Sequence, residues 1–319
     1  RIHSTGGPEV LRWEEVAVPS AGAGEVRLRQ TAVGVNFIDV YYRTGLYPLP
    51  ALPAALGMEA AGMIEEVGPG VEGLAAGDRV AYVVGPGAYC EERVLPAARV
   101  VKLPDEISEV TAAAMMLKGM TAEYLLRRTY RVRSGDTVLI HAAAGGVGLI
   151  ACQWASHLGA TVIGTVGSPK KAELARAHGC HHPILYRQTS FADEVKLLTG
   201  GRGVPVVYDS VGRDTFEESL RCLQPRGLLV LFGQSSGPVP SFELGRLAQL
   251  GSLYVTRPTL ATYTASREDL EHSARALLAV VESGAVEVEV PQTYPLRDAE
   301  QAHRDLESRR TTGSTVLLP

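Results

Sequence analysis

The sequence predicts an α/β protein: a doubly wound, parallel six-stranded sheet accompanied by a smaller, coiled β-barrel. Three observations carry this. From Thr137 onward short apolar runs alternate with helical patterns, the signature of parallel strands joined by crossovers. Within that region Val138-Leu139-Ile140, the small-residue turn Ala142 to Gly148 and the apolar stretch from Leu149 read as strand, glycine turn and helix. The first third has another texture, with short β-like runs such as Val26–Arg29 and Ala60–Val67 broken by turn signals such as Gly68-Pro69-Gly70.

A chain of 319 residues exceeds the usual size of one domain. The pattern divides it into residues 1–124, 125–258 and 259–319, the last rejoining the first because Thr315-Val-Leu-Leu-Pro reads as a closing strand. Around Ile107 to Leu126 the chain turns helical, with Ser108 as N-cap. Six strands follow at Val138–His141, Thr161–Val166, His182–Leu185, Val206–Asp209, Leu228–Phe232 and Ser252–Val255. The helices between them are Leu149–Leu158, Pro169–His178, Phe191–Thr199, Thr215–Cys222 and Leu244–Leu250, and a longer one covers Glu268–Ser283.

The bulk properties exclude several classes. Hydrophobic content of 45% and a mean hydropathy of +0.05 fit a globular protein. A net charge of −4 with no dense Lys/Arg run argues against nucleic acid as a partner. No apolar run reaches the roughly 18 residues that span a bilayer, so no membrane partner is expected. Arg1 to Glu15 lacks the design of a signal peptide, and the expected compartment is cytoplasmic. Cys90, Cys152, Cys180 and Cys222 form no CxxC unit, which leaves isolated reduced thiols.

The glycine turn is the first candidate site. Ala143-Ala144-Gly145-Gly146-Val147-Gly148 fits G-x-G-x-x-G with Ala in the first slot, where only a small residue is needed. Gly145 lets the backbone approach a pyrophosphate and Gly148 lets helix pack on strand. The end of the next strand selects the coenzyme. An NAD site wants Asp or Glu there, but this chain reads Gly164-Thr165-Val166-Gly167-Ser168-Pro169-Lys170-Lys171. Small residues and two lysines suit a 2′-phosphate, so NADPH is the expected cofactor. The plainer alternative for each lysine is an exposed first helical turn.

Several further segments carry a resemblance. Gly57-Met58-Glu59-Ala60-Ala61-Gly62, Ala76-Gly77-Asp78-Arg79-Val80 and Ala142 to Gly148 are similar to motifs of the medium-chain dehydrogenase/reductase superfamily. Val35–Asp39, Arg43–Pro48, Val207–Gly212 and Tyr254–Pro258 resemble its zinc-free quinone oxidoreductases, closest to the bacterial NADPH-dependent ones, over essentially the whole chain. The resemblance implies a GroES-like barrel as the catalytic domain and a Rossmann sheet for NADPH. The zinc enzymes of the superfamily use a Cys, a Gly-His-Glu histidine and a second Cys. Here Asn36 and Met58 stand at the first two positions and no Cys lies near Lys118, so no metal site is expected. His181-His182 looks like a metal pair but sits alone.

A quinone needs no Lewis acid, because it accepts hydride readily and its product anion is stabilised by resonance. The enzyme must stack the quinone and exclude water. The resemblance implies that Asn36, Tyr41 and Tyr47 line the nicotinamide end, with Tyr47 orienting or protonating the quinone oxygen; the alternative for Tyr47 is packing in a Tyr-Pro turn. Thr121 resembles the family threonine beside the nicotinamide. Gly167, Ser168, Lys171, Tyr186 and Arg309 are implied around the adenosine 2′-phosphate. Ser210, Phe232, Gly233, Gln234 and Thr256 complete the implied cofactor contacts, with Gln234 standing where relatives often have Asn.

Three readings follow. The first is NADPH-dependent reduction of a small-molecule quinone. The second is reduction of activated C=C bonds in enones or enoyl thioesters. The third is a non-enzymatic NADPH-binding structural or RNA-associated protein, as in some zeta-crystallin relatives. A homodimer is expected, because Ser252–Val255 reads as an apolar edge strand that invites pairing.

Overall fold

The computed structural model describes all 319 residues, Arg1–Pro319. The chain forms two compact units. The first comprises Arg1–Lys118, Ser266–Arg275 and Val288–Pro319; the second comprises Gly119–Ala265 and Ala276–Glu287.

The first unit opens with β1 (Glu25–Val35), β2 (Glu59–Val67), β3 (Arg79–Val83), β4 (Glu92–Pro96) and β5 (Val100–Lys102). The second unit carries β6 (Thr137–Ile140), β7 (Thr161–Val166), β8 (His182–Leu185), β9 (Val204–Asp209), β10 (Leu223–Leu231) and β11 (Tyr254–Thr256). Two late strands, β12 (Gln292–Pro295) and β13 (Thr315–Leu318), return to the first unit.

In the first unit the strands pair in the order β12-β13-β1-β2-β3-β5, with β4 also against β1. Strand β1 holds β4 along Glu25–Arg29 and β13 along Val33–Val35, so one long strand serves two partners on one side. Register breaks against β2 at Arg27/Leu28 and Gln30/Ala32 bend it. Val26, Leu28, Ile64, Val80, Tyr82, Leu95, Val100 and Leu317 fill the core beneath.

The second unit is a fully parallel sheet in the order β11-β10-β9-β6-β7-β8. This is the doubly wound order, and its growth reverses between β6 and β9, where such sheets bind ligands. Near-continuous apolar strands are what burial on both faces requires. Val138-Leu139-Ile140 and Val206-Val207 are accordingly inaccessible to solvent.

Element positions agree with expectation except at certain ends. The helix expected from Leu149 runs Gly146–His157, because Gly145 takes the extended N-cap conformation and Gly146-Val147-Gly148 becomes its first turn. His141 lies in the turn rather than in β6. Strand β10 begins at Leu223, which pairs with Val204 before a register shift resumes at Leu228. Strand β11 is Tyr254–Thr256, not Ser252–Val255, since Ser252 is left-handed (φ 57°) and Leu253 turns into the core. Ser108 Oγ accepts Thr111 N–H at 3.1 Å and caps the helix Glu109–Tyr124. A helix at Phe37–Arg43 adds an element not expected there.

Candidate active site

In the second unit the turn after β6 is held from below. His141 is buried, with Nδ1 2.9 Å from Thr165 Oγ1 and Nε2 2.9 Å from Ser219 Oγ. Burial lowers its pKa, since an imidazolium there would lose its hydration. Ala142 is left-handed (φ 52°), and its carbonyl accepts Gly145 N–H at 2.9 Å. Ala143 N–H bonds Thr165 O at 3.1 Å. A Cβ on Gly148 would lie 2.2 Å from Ala142 O, so only glycine lets the helix approach the strand this closely. The N–H groups of Gly146, Val147 and Gly148 begin the helix without intrahelical acceptors, and the helix dipole adds positive potential. This donor set fits a pyrophosphate.

At the end of β7, Ser168 caps the next helix by accepting Lys171 N–H at 3.4 Å, with Pro169 in its first turn. A Cβ on Gly167 would lie 3.0 Å from Tyr186 Oη, and Tyr186 N–H bonds Val166 O at 3.3 Å. Gly167, Ser168, Lys171 and Tyr186 are thus gathered at the ends of β7 and β8 with no carboxylate in Gly164–Lys171. Hydroxyls and an ammonium there fit a phosphate monoester.

Ser210, Phe232 and Gly233 are gathered at the ends of β9 and β10. Phe232 N–H bonds Asp209 O at 2.8 Å, and a Cβ on Gly233 would lie 2.6 Å from Ser210 O. Gln234 follows, packed on Gly212. Asp209 is structural: Oδ1 accepts the N–H groups of Val211 (2.7 Å) and Gly212 (3.0 Å), while Oδ2 accepts Thr215 Oγ1 (2.7 Å) and Ser219 Oγ (3.2 Å). Thr256 stands apart on edge strand β11, opposite Val230. Thr121 is buried in the helix Glu109–Tyr124. His181 Nδ1 accepts Val162 N–H at 3.0 Å, so its ring serves the sheet.

In the first unit Asn36 caps the helix Phe37–Arg43, and its N–H bonds Asp39 Oδ2 at 2.8 Å. Tyr41 and Tyr47 meet edge to face with ring centroids 5.2 Å apart, and Tyr47 N–H bonds Tyr41 O at 3.0 Å. Asn36 Nδ2 gives one of its two N–H donors to Glu59 Oε1 at 2.8 Å, which leaves the amide a second donor. Arg309 lies in this unit, left-handed (φ 59°) just beyond the helix Ala299–Glu307, its N–H on Leu306 O at 3.1 Å.

Two groups of residues had no expected role. Glu59 is buried and also accepts Lys118 Nζ at 3.0 Å and Leu117 N–H at 2.6 Å. The signal was a lysine closing the apolar run Ala112–Leu117. Behind Asn36 runs a buried chain. Tyr89 Oη donates to Asp39 Oδ2 at 3.1 Å and meets His303 Nε2 at 2.9 Å. Arg43 Nη1 donates to His303 Nδ1 at 3.0 Å, and Arg43 grips Glu307 at 2.8 and 2.9 Å. Because arginine only donates, His303 carries its proton on Nε2. Burial pushes the Asp39 carboxyl up to about 7 and pulls His303 down to about 3, the latter aided by the Arg43 charge.

The architecture and these motifs coincide with known families. The family described as alcohol dehydrogenase GroES-like domain matches residues 22–105, and that described as zinc-binding dehydrogenase matches residues 146–279. The chain is therefore a medium-chain dehydrogenase/reductase. It is 55% identical over 315 residues to quinone oxidoreductase of Pseudomonas aeruginosa, covering 98% of this chain and 97% of that protein. It is 49% identical to a 2-haloacrylate reductase of a Burkholderia species, covering 100% and 98%. The crystal structure of Escherichia coli quinone oxidoreductase complexed with NADPH superposes with a TM-score of 0.98 at 50% identity, covering 100% of this chain and 98% of that one. The chain belongs to the quinone oxidoreductase family.

Proposed function

We propose that this chain is an NADPH-dependent quinone reductase that needs no zinc. The observation that carries the reading is agreement along the whole chain, 55% identical, with a quinone oxidoreductase. When bound, NADPH supplies a hydride. The turn Ala143 to Gly148 holds its pyrophosphate through first-turn N–H groups. Gly167, Ser168, Lys171 and Tyr186 receive the 2′-phosphate, and the lack of a carboxylate among Gly164–Lys171 supports this. Ser210, Phe232, Gly233 and Gln234 line the neighbouring edge, and Thr121, Thr256 and Arg309 contribute by family likeness.

Asn36, Tyr41 and Tyr47 form the quinone side. Asn36 has one Nδ2 N–H committed to Glu59 and a second to offer the substrate oxygen. Tyr47 is half-buried against Tyr41 and orients the quinone through its phenol. A second reading, reduction of activated C=C bonds, is favoured by the 49% identity to a 2-haloacrylate reductase. No helix is long and apolar enough to cross a membrane. A cytoplasmic setting and a homodimer paired through β11 complete the proposal.

The test is a turnover panel of a 1,4-quinone, an enone, 2-chloroacrylate and a primary alcohol, each with NADPH and NADH. The quinone with NADPH should show the highest kcat/KM. A higher kcat/KM for the haloacrylate favours the second reading, and turnover of none of them removes both.

A further inference from the structure

We infer that Lys118 is the electrophile that meets the quinone oxygen, held ready by Glu59. The inference rests on the quinone reading above and adds a catalytic residue to it. Both oxygens of the Glu59 carboxylate are engaged, with Asn36 Nδ2 and Lys118 Nζ on Oε1 and Leu117 N–H on Oε2. Lys118 is less fully engaged. An ammonium has three N–H donors, and Glu59 is the one residue of the chain that accepts from it although Lys118 is just 5% exposed. Spare donors in a closed interior are costly. A buried ion pair is also a poor source of stability compared with an apolar pair of similar volume. A site that keeps both is organised for an incoming acceptor.

The position of the ammonium says which acceptor. Glu59 Oε1 binds Asn36 and Lys118 together, at 2.8 and 3.0 Å. The ammonium is therefore fixed beside the residue that caps the helix carrying Tyr41. Glu59 accepts and cannot donate, so Lys118 is the one cation in this cluster with donors to give. The chemistry needs such a donor. Hydride leaves the reduced coenzyme, which becomes oxidised, and adds to the quinone. The quinone becomes the hydroquinone monoanion, its charge gathered on oxygen, and a solvent proton completes the hydroquinone. Lys118 keeps its own proton and stabilises the growing oxyanion by charge-assisted hydrogen bonds.

The test uses the full chain with NADPH and 1,4-benzoquinones of decreasing reduction potential, made by adding methyl and methoxy groups. Lys118→Met should lower kcat/KM about 100-fold for the least activated quinone and less for the most activated one. A plot of log kcat/KM against reduction potential therefore steepens, which a merely structural role would not produce. Lys118→Arg should keep the wild-type slope. Because Lys118→Met leaves Glu59 without its counter-charge, the double variant Glu59→Gln/Lys118→Met is made alongside and should show the same steepening. Without turnover, 4-nitrophenolate serves as an oxyanion probe, and Lys118→Met should weaken its binding about tenfold. Parallel plots, or equal phenolate binding, in an active enzyme overturn the role of Lys118. A wild-type chain that reduces none of these quinones with NADPH overturns the quinone reading itself.

Discussion

Tyr89 donates its phenolic proton to the buried carboxylate of Asp39 at 3.1 Å, and behind that bond stands the neutral ring of His303. The two titrating groups pull stability in opposite directions as pH changes. Burial raises Asp39 from 3.8 to about 7, so the folded chain keeps a proton that the unfolded chain has lost. Its contribution is whole below pH 3.8 and is lost as pH climbs to about 7. His303 is lowered from 6.5 to about 3, so its contribution is whole above 6.5 and is lost as pH falls to about 3.

Asp39→Asn removes the first effect and leaves the second. Between pH 4 and 7 the melting temperature of the variant should rise relative to wild type, by roughly 5 °C or more across the range. Circular dichroism melts at several pH values check this. Melting curves for the two proteins that keep a constant offset rule it out.

Gly148 and Gly145 offer a matched pair of substitutions. A methyl on Gly148 meets Ala142 O at 2.2 Å, whereas on Gly145 the nearest atom is the same oxygen at 3.2 Å. Gly148→Ala must push the helix off the strand and should weaken NADPH binding at least tenfold, roughly 1.4 kcal/mol or more. Gly145→Ala should weaken it less. Coenzyme fluorescence titration gives both constants, and equal effects of the two changes contradict the assignment.

Lys171 is proposed at the 2′-phosphate. Lys171→Ala should raise the Kd for NADPH about tenfold, the loss of one charge-assisted bond, and leave NADH nearly unaffected. A variant that loses both coenzymes alike points instead to damage in the helix that Ser168 caps.

The proposed dimer depends on an open edge. Tyr254 is 61% exposed on β11, which has β10 on one side and no strand on the other. Light scattering should give twice the 34.0 kDa chain mass for wild type and 34.0 kDa for Val255→Lys, since a charged lysine on the edge strand opposes edge pairing. A monomeric wild type at micromolar concentration ends the proposal.

The second unit was the more legible part. Its strands are apolar on both faces and its turn carries Gly148, whose absence of Cβ is sterically required, and pattern and geometry coincide at β7 and β8 to the residue. Ends marked by backbone conformation were not legible. Ser252 is left-handed without being glycine, and Gly145 begins the helix earlier than the apolar pattern suggests. The first unit hid its site more deeply. Asn36, Tyr41 and Tyr47 are neighbours in sequence, but Glu59, Tyr89, Lys118 and His303 come together only through long-range pairing. One single-residue cue was present, a lysine at the end of an apolar helical run, and its meaning depended on a carboxylate 59 residues away.

Ala142 holds a left-handed conformation that a side chain ordinarily resists by about 1–2 kcal/mol. The turn tolerates it because Thr165 and Gly145 clasp the same peptide unit from two sides. The loop therefore enters the encounter already frozen into shape. A diphosphate arriving there has little wandering backbone left to tame, and its grip loses correspondingly little to disorder.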